Sequence, residues 1–474
     1  MKYNPPVLSF AGNTIALKNQ LKHLGLIIDS KLSWRSHSNY VKNRVTQIAN
    51  NLLRFSKNKF GLNQHAIKII YTGAILPIIS YAVSVWALAI DRKFVINPLN
   101  TIQRRFALRI SKAYRTVSTN AANIISDLMP IDLYLKGKAV QYFANNHIVC
   151  DLTDFYFEGT SITVHDIQTR VDVRQLPHYG LKKPLNSLQT LSDTESYYNV
   201  YIDGRFSDRN TGSGFVINHS NLTITTKKIK MSNHCTGFQA KLLAIKRALV
   251  WLKTCNRQKH HIIVNICDKS VFRALHDYNS TNSLIYNIYK LFYELMSNSI
   301  DVFINEVDFR SEIQLKTRDL AKAAIDSLNR IEYNLITKSV LKHTIREKNV
   351  DIWSKRWAQS TTGSQTKHYF PTVRDRIAAK SYAPDYHTTQ TVTNHGEFAS
   401  YLKRFRIREG EECECGQGSD TADHRLYDCI RYDDQRNELI DAIEKDGHSW
   451  PMNHNILINK YYNYFHKFCN LILN

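Results

Sequence analysis

Apolar residues in the first third of the chain recur every three or four positions, which is the period of an amphipathic helix. In the segment Ser36–Lys57 the apolar residues at this spacing are Val41, Val45, Ile48, Leu52 and Phe55. The segment Pro98–Thr119 repeats the pattern, again with basic residues on the polar side. The period predicts a mostly helical region over residues 1–155.

The pattern changes after residue 196, where alternating or fully apolar runs of strand length replace the helical period. The runs Tyr197–Phe206, Gly212–Asn218 and Leu222–Met231 predict three consecutive strands. A helix from Gly237 to Leu252 follows, and then a strand, a helix, a strand and a helix. This order predicts an α/β domain with a mixed sheet over residues 196–330.

Lys241 lies at the head of the apolar face of the helix Gly237–Leu252, immediately before Leu242 and Leu243. A lysine in this place commonly extends its ammonium group to solvent. The alternative is that it occupies a position where a chemical site once held a different charge.

Changes in composition divide the chain of 474 residues into several domains and linkers. The predicted segments are a helical region 1–155, a connector 156–195, an α/β domain 196–330, a basic helical connector 331–400, a small cysteine-rich module 401–440 and a tail helix 441–474. The fold class is therefore multidomain.

One segment, Ile69–Ile90, is nearly uncharged and about long enough to span a bilayer, which takes ~20 apolar residues. Pro77 interrupts it, and Thr72, Ser80 and Ser84 dilute its apolar character. The segment favours two buried helices that meet near Pro77, and we expect no membrane association.

The chain is strongly basic, with 63 Lys and Arg against 41 acidic residues and a formal net charge of +22. Such an excess favours a polyanionic partner, above all nucleic acid. Arg104, Arg105 and Arg109 form a basic helix face that is either simply solvated or in contact with phosphates. The N-terminus lacks the apolar core of a signal peptide, so we expect an intracellular protein of the nucleus or cytoplasm.

Three of the eight cysteines cluster around a histidine. Cys413, Cys415, His424 and Cys429 follow the pattern C-x-C, eight residues, H, four residues, C. Three thiolates and one imidazole complete a tetrahedral zinc site and leave no position for a substrate. The spacing predicts a structural zinc ion, and its alternative is three buried cysteines beside an unrelated histidine.

Two aspartates end predicted strands of the α/β domain. Asp203 lies in "YIDG", and Asp268 follows the apolar run "HHIIVNIC" directly before a helix. A carboxylate at the end of a central strand is suited to bind a divalent cation. Each aspartate alone is a weak signal, because Asp-Gly also forms ordinary turns and Asp268 is equally suited to cap the helix.

Together these pieces resemble type 1 ribonuclease H. The strand "YIDG", the helix "FQAKLLAIKRAL", the strand ending in "CD" and the final helix "RDLAKAA" follow the order of that family. The resemblance implies four carboxylates that hold two magnesium ions and cleave the RNA strand of an RNA–DNA hybrid.

The rest of the chain is similar to the C-terminal part of Jockey-like non-LTR retrotransposon polyproteins. "LKHLGLIIDSKLSWRSH", "ILPIISYAVSVWA" and "IQRRFALRISKAYRTVST" resemble the thumb-like region that follows the polymerase palm of the reverse transcriptase. The segment from "VTNHGEFASYLKRFR" through "DHRLYDCIRYDDQRNEL" resembles the C-terminal zinc motif of the same elements. The likeness covers most of the chain in the expected order.

The resemblance assigns Asp203 to the first and Asp268 to the third carboxylate of the ribonuclease family. Lys241 stands at the position of the second and Arg318 at that of the fourth, with Asp319 one place late as a substitute. Replacing two carboxylates by cations removes ligands and adds like-charge repulsion to a magnesium pair. The sequence predicts that Asp203 pairs with Lys241 instead.

The resulting prediction is a retrotransposon-derived protein that binds RNA–DNA hybrid, RNA or single-stranded DNA and has lost most or all hydrolysis. An active ribonuclease is the first alternative, with magnesium ligands recruited from Asp208, Glu306, Asp308 or Asp319. The histidine-containing loop of the family is also altered, with Arg310 about where its histidine belongs. The second alternative is an interaction protein that keeps the fold only as a scaffold.

Overall fold

The computed structural model describes residues 8–54, 62–176, 197–207, 210–220, 222–255, 260–308 and 311–473. Phe55, Asp208, Arg310 and residues 177–195 of the predicted connector 156–195 lie outside the described residues. The chain divides into two compact units, which we call the helical unit and the α/β unit. The helical unit comprises residues 1–142 and 345–474, and the α/β unit comprises residues 143–344.

The first described residues of the helical unit form two short hairpins that the helical period did not predict. Their antiparallel strands are β1 (Leu8–Phe10) with β2 (Asn13–Ile15) and β3 (Gln20–His23) with β4 (Leu26–Asp29). The helices that follow are α1 (Arg35–Leu53), α2 (Gln64–Ile70), α3 (Leu76–Ile79), α4 (Val83–Trp86), α5 (Lys93–Ile110), α6 (Thr119–Ser126) and α7 (Ile131–Asn145).

The apolar segment after residue 69 is broken within the helical unit. A π-helical turn over Tyr71–Ile75 joins α2 to α3, and the break comes at Ser80–Ala82, just after Pro77 in the first turn of α3. No single helix among the described residues is long and apolar enough to cross a membrane. The pair Gln64–Ile79 and Val83–Ala89, bent by 56°, meets the length and composition only when taken together.

The α/β unit is built on one five-stranded sheet. Its elements are α8 (Asp151–Phe157), β5 (Tyr197–Phe206), β6 (Thr211–His219), β7 (Leu222–Met231), α9 (Gly237–Cys255), β8 (His261–Ile266), α10 (Lys269–Ala274), α11 (Ser283–Ser297), β9 (Val302–Glu306) and α12 (Glu312–Ile325). The strand order is β7-β6-β5-β8-β9. β5, β6 and β7 are antiparallel neighbours, whereas β8 and β9 run parallel to β5.

The two faces of the sheet carry different helices, and glycines mark both contacts. A Cβ atom on Gly204 would lie 2.6 Å from the Cβ of Ala240 and 2.8 Å from the backbone N of Lys241, so only glycine lets α9 approach β5 this closely. On the other face, a Cβ on Gly214 would lie 3.0 Å from the backbone N of Ala321 in α12. Since successive residues of a strand point to opposite faces, this arrangement fixes which helix each strand residue meets.

The last third of the chain is helical. Its helices are α13 (Lys338–Gln359), α14 (Ser364–Tyr369), α15 (Val373–Ala378), α16 (Tyr386–Thr393), α17 (Ala399–Arg404), α18 (Asp433–Lys445), α19 (His454–Lys460) and α20 (Tyr462–Leu473). The boundaries between the two units fall within α7 and α13.

The first and last parts of the chain share the core of the helical unit. The buried guanidinium of Arg376 donates to the carbonyl O of Ile125 at 3.1 Å, and Thr389 donates to the carbonyl O of Ser111 at 2.6 Å. The hydroxyl groups of Tyr114 and Tyr386 lie 2.6 Å apart. Because buried polar groups need partners, each segment satisfies backbone groups that the other leaves open.

The predicted fold class is confirmed. A mixed five-stranded sheet with helices on both faces forms the ribonuclease H-like α/β unit, helices dominate the rest, and a cysteine–histidine cluster lies near the C-terminus. The hairpins at residues 8–29 lie within the region 1–155 that was predicted to be mostly helical, and they add strands that the helical period did not predict. Their exposed strands carry no helical apolar stripe, so the period that predicted the later helices does not extend to them.

Candidate functional site

Asp203 lies in the middle of the sheet, on β5, and is 1% exposed. It pairs with Gly214 of β6, so its side chain shares the face of the sheet that α12 covers. Its Oδ2 lies 3.3 Å from Nε of Arg205, an ion pair without hydrogen-bond geometry. Arg205 follows two residues later and points to the same face, so strand alternation would have revealed it from the sequence.

Asp268 begins α10 and is engaged twice. Its Oδ1 accepts hydrogen bonds from the backbone N–H of Ser270 at 2.8 Å and from the Ser270 hydroxyl at 2.6 Å, which makes it the N-cap of the helix. Its Oδ2 pairs with Nζ of Lys241. Partial burial raises the pKa of Asp268, but the hydrogen bonds from Lys241 and Ser270 outweigh it and bring the pKa to about 2.

The predicted ion pair between Asp203 and Lys241 is therefore wrong. Gly204, not Asp203, faces α9, and Lys241 projects from α9 to the end of β8, where Asp268 receives it. The side chain of Lys241 is 14% exposed and does not extend freely into solvent.

The fourth family position is also occupied without a carboxylate. Arg318 lies half-buried on α12, and its Nε has no hydrogen-bond partner among the described residues. One turn earlier, the buried amide of Gln314 donates to the carbonyl O of Ile202 at 2.8 Å and approaches Sγ of Cys267 at 3.2 Å. Sequence reasoning missed Gln314, because a glutamine on a helix carries no metal signal.

The substitute ligands do not gather at Asp203. The carboxylate of Asp319 is 73% exposed and lies 3.6 Å from Nζ of Lys322. Glu306 and Asp308 are exposed, and Asp208 lies outside the described residues. In the described part of the chain, neither Asp203 nor Asp268 belongs to a group of three ligating side chains. One aspartate bound to a lysine and one beside an arginine do not fit a pair of magnesium ions.

Cys413, Cys415, His424 and Cys429 come together as predicted, and their ligand atoms all lie within 4.8 Å of one another. Sγ of Cys413 is 3.6 Å from Sγ of Cys429, and Sγ of Cys415 is 3.2 Å from Nε2 of His424. Tetrahedral bonds of about 2.3 Å to sulfur and about 2.0 Å to nitrogen would separate such atoms by roughly 3.6–3.8 Å. The residues therefore fit a zinc ion with four protein ligands.

The loop around the first two cysteines is shaped by glycines and backbone hydrogen bonds. Gly416 and Gly418 have φ values of +77° and +131°, which side chains strongly disfavour. The N–H of Gln417 donates to Sγ of Cys415 and lowers the pKa of that thiol. Burial raises the pKa of Cys429, and a bound cation would lower it and favour the thiolate.

Arg436 braces the cluster from α18. Its buried guanidinium donates to the carbonyl groups of Leu426 at 2.7 Å and Cys429 at 2.9 Å. These bonds fix the backbone that carries two of the four ligands, an outer support that metal sites commonly need.

The three predicted nucleic-acid contacts on α5 are all half-buried. Arg104 donates to the carbonyl groups of Arg115 and Val117, both at 2.8 Å, and Arg105 donates to Asn50 at 2.7 Å. Burial lowers the pKa of Arg104 and of Arg109. Arg104 therefore braces the loop after α5, and contact of the three arginines with phosphates stays a prediction.

Relatives of the chain come from one group of mobile elements. It is 28% identical over 211 residues to the retrovirus-related Pol polyprotein from type-1 retrotransposable element R1 of Popillia japonica, covering 43% of this chain and 81% of that protein. It is 29% identical over 129 residues to the polyprotein of the same name from Bradysia coprophila, covering 27% of this chain and 13% of that protein. Its homologues are R1 retrotransposon Pol polyproteins. No family model matches the chain.

Solved structures similar to the chain cover less than a third of it. LC11-RNase H1 in complex with RNA/DNA hybrid is 16% identical over 27% of this chain and 96% of that chain, with a TM-score of 0.24. Prototype Foamy Virus Protease-Reverse Transcriptase is 15% identical over 31% of this chain and 23% of that chain, with a TM-score of 0.26.

The R1 relationship confirms the predicted resemblance to the C-terminal part of a non-LTR retrotransposon polyprotein. We call the region around Asp203 and Asp268 the sheet edge, because Asp268 follows the end of β8. In this chain the sheet edge holds two ion pairs, Asp203 with Arg205 and Asp268 with Lys241, whereas the cysteine–histidine cluster has all four ligands. The two candidate sites therefore differ in what they can bind.

Proposed function

We propose that this R1-related chain binds nucleic acid, including RNA–DNA hybrid, without efficient hydrolysis. The observation that carries the proposal is the ion pair between Lys241 and Asp268. In a magnesium-dependent nuclease, carboxylates at such a sheet edge neutralise two divalent cations. Here a lysine ammonium supplies that positive charge from within the chain.

Binding and hydrolysis make different demands on the α/β unit. Cleavage needs several negative ligands around each ion, whereas recognition of a hybrid depends mostly on contacts to sugar and phosphate along its backbone. Loss of the carboxylates removes the first ability and leaves the second intact. The net charge of +22 supports binding to a polyanion, and most of the excess positive charge lies in the helical unit.

A cleft in the α/β unit is suited to a phosphate group. It has a volume of about 440 Å³, and its lining includes Arg170, Lys338 and Lys342 together with Thr169 and Thr337. Among the described residues, none of these three cations forms an ion pair. Burial, together with the charges of Arg170 and Lys342, lowers the pKa of Lys338. Bound phosphate would relieve this repulsion between like charges.

The cysteine–histidine cluster has a structural role in this proposal. All four positions of a tetrahedral zinc ion would be filled by protein ligands, which leaves none for a substrate or an activated water. The zinc ion would supply cross-links between the loop after Cys413 and the turn before α18. It would thereby hold the C-terminal segment in place.

Two measurements on the purified chain test the proposal. A fluorescent hybrid of about 20 base pairs is titrated at ~50 and ~200 mM salt, and affinity should fall by orders of magnitude, as counterion release requires. The same complex is then incubated with magnesium or manganese, and the RNA strand should stay intact. Binding that is absent at low salt contradicts the proposal and leaves the scaffold function.

A second candidate, slow hydrolysis, is favoured by one observation. Oδ2 of Asp203 is buried and accepts no hydrogen bond among the described residues, and a metal ion that bound it would have to displace Nε of Arg205, which lies 3.3 Å away. Metal-dependent cleavage that is lost in the Asp203→Asn variant would support this candidate. The substitute ligands would then have to come from residues that move on binding.

A further inference from the structure

A second group of potential metal ligands lies in the helical unit, apart from the four zinc ligands. It consists of His368 at the end of α14, Asp423 in the turn before His424, and His454 at the start of α19. One ligand atom from each residue lies within 4.8 Å of the other two. The three residues are far apart in sequence and follow no spacing motif, so only the fold brings them together.

The two less exposed members, Asp423 and His454, already have the spacing of neighbouring ligands. Nε2 of His454 lies 2.9 Å from Oδ1 of Asp423. An ion bound to an imidazole nitrogen and a carboxylate oxygen, each at about 2.0–2.2 Å, holds those two atoms roughly 2.8–3.1 Å apart at an octahedral angle and roughly 3.3–3.6 Å apart at a tetrahedral one. A cation can therefore replace the proton that these two groups share, without moving either side chain far.

Packing fixes the imidazole ring of His454. The rings of Tyr369 and Tyr427 meet it edge to face, with centroids at 4.6 Å and 5.1 Å. The Tyr427 hydroxyl donates to the carbonyl O of Met452 at 2.8 Å, so this aromatic wall is itself anchored. A ligand ring held in this way loses little freedom when an ion binds, which favours a site of defined geometry.

The group opens to solvent on one side. His368 is exposed, whereas the side chains of Asp423 and His454 are 36% and 16% exposed. An ion would reach the group past His368, and water would fill the coordination positions that the protein leaves open. Two imidazoles and one carboxylate with open positions are a ligand set for zinc and other borderline divalent cations.

The group cannot share an ion with the cysteine cluster. Asp423 and His424 are consecutive in a helical turn, where neighbouring side chains point about 100° apart. His424 already directs its Nε2 to Sγ of Cys415. The two sites are therefore separate, one closed and rich in sulfur and the other open and without sulfur.

We infer that His368, Asp423 and His454 form a second divalent-cation site, which takes zinc or a similar borderline ion and clamps α14 and α19 to the turn before His424. The alternative is a hydrogen-bond network only, because Oδ1 of Asp423 also accepts a bond from Nε2 of Gln365 at 2.5 Å. The two cases differ in how much metal the chain holds.

The experiment measures bound metal in the full chain under reducing conditions. After dialysis against low micromolar zinc, the parent should hold two equivalents, and His368→Ala, His454→Ala and Asp423→Asn should each hold one. Gln365→Ala is the matched control, since it removes a hydrogen bond to Asp423 but no proposed ligand, and it should keep two. One equivalent in the parent, or two in both histidine variants, overturns the inference.

Cobalt provides a readout that does not depend on how well the variants fold. Cobalt bound by three thiolates shows intense sulfur-to-metal charge-transfer absorption, whereas a site of two imidazoles and one carboxylate shows only weak visible bands. In the parent chain, the first equivalent should develop the charge-transfer bands and a second should add weak bands alone. Saturation after one equivalent, with no further visible absorption, contradicts the second site.

Discussion

The sheet edge of the α/β unit, with Asp203 and Asp268, and the cysteine cluster of the helical unit both carry side chains of metal-ligating type. At the sheet edge, Asp268 pairs with Lys241 and Asp203 with Arg205, so each negative charge has a cation that belongs to the chain. In the cluster, the three sulfurs and the imidazole nitrogen all lie within 4.8 Å of one another. The first arrangement is complete without a metal ion, and the second becomes complete only with one.

Removal of metal should produce the largest difference in stability between the cysteine cluster and the sheet edge. Structural zinc contributes about 10–16 kcal/mol to the folding of small zinc modules, whereas the sheet edge needs no ion in our proposal. A strong chelator or the Cys415→Ser variant should therefore unfold residues 397–474 and leave the α/β unit folded. Hydrogen exchange followed by mass spectrometry resolves the two regions. Equal loss of protection in residues 197–306 would contradict the comparison.

Restoring carboxylates at the sheet edge should make that region depend on a metal ion, as the cysteine cluster does. The double variant Lys241→Glu with Arg318→Asp restores a carboxylate at each family position. It should be less stable than the parent in EDTA, because Asp268 then faces another anion, and should regain stability with magnesium. An ion bound with a dissociation constant of about 0.1 mM adds about 2.7 kcal/mol at ~10 mM.

Thermal unfolding with and without magnesium measures this effect. Lys241→Gln with Arg318→Gln is the matched control, since it removes both cations but adds no carboxylate, and magnesium should not stabilise it. An equal magnesium response of both double variants would show that the added carboxylates do not bind the ion. Hybrid cleavage by the carboxylate variant alone would indicate that the catalytic arrangement has been recovered.

Neutralising the cations of the cleft tests where nucleic acid binds, and we expect an effect of intermediate size. Changing Arg170, Lys338 and Lys342 to glutamine should reduce the slope of log affinity against log salt by about 2 to 3 for a hybrid, since each lost phosphate contact contributes roughly 0.7–0.9. The same change at the exposed Lys228, Lys290 and Lys316 is the control and should alter the slope less. The reverse result would move the contact surface away from the cleft.

The predicted face on α5 is tested separately. Arg105→Gln and Arg109→Gln should flatten the slope if this face binds phosphates, and circular dichroism checks that the helices remain. Arg104 is left unchanged because its bonds to Arg115 and Val117 hold the following loop.

The smallest expected effect is the pH dependence of the ion pair at the sheet edge. The pKa of Asp268 is lowered to about 2, below its unfolded value of about 3.9. The stabilisation is therefore fully present above about pH 4 and is lost as the pH falls towards 2. Because the pair is partly solvated, it should contribute less than ~1 kcal/mol.

Urea unfolding at pH 5 and pH 3 measures this contribution. In Lys241→Met, Asp268 keeps Ser270 as a donor but loses the ammonium group, so stability should fall less between these two pH values than in the parent. An identical loss in both proteins would assign the acid sensitivity to other carboxylates.

Most of the α/β unit could be predicted from the sequence, because apolar residues recur with period two in its strands and with period three to four in its helices. The cysteine cluster could also be predicted, since the four ligands are close enough in sequence to form a motif. The pairing of Lys241 with Asp268 could not be predicted, because the spacing of residues along the chain does not show which face of the sheet a helix covers. His368 and His454 escaped notice for a related reason: tertiary contacts alone bring them to Asp423.

The shared core of the helical unit also escaped prediction. The hydrogen bond from Arg376 to the carbonyl O of Ile125 joins residues separated by more than half of the chain. Neither segment has a local sequence pattern that predicts contact with the other. Amphipathic periods show that a helix has a buried face, but they do not show what covers that face.

The split origin of the helical unit has a consequence for synthesis on the ribosome. Residues 345–474 emerge only after the whole α/β unit, so at 5–20 residues per second the first 142 residues wait on the order of tens of seconds for their partner segment. During that interval the backbone carbonyl groups of Ser111 and Ile125 lack their native donors, Thr389 and Arg376. The α/β unit has no such delay, because all of its strands are already present. The α/β unit can therefore be folded while the segment before it still waits for residues 345–474, an interval in which exposed apolar surface favours binding of chaperones.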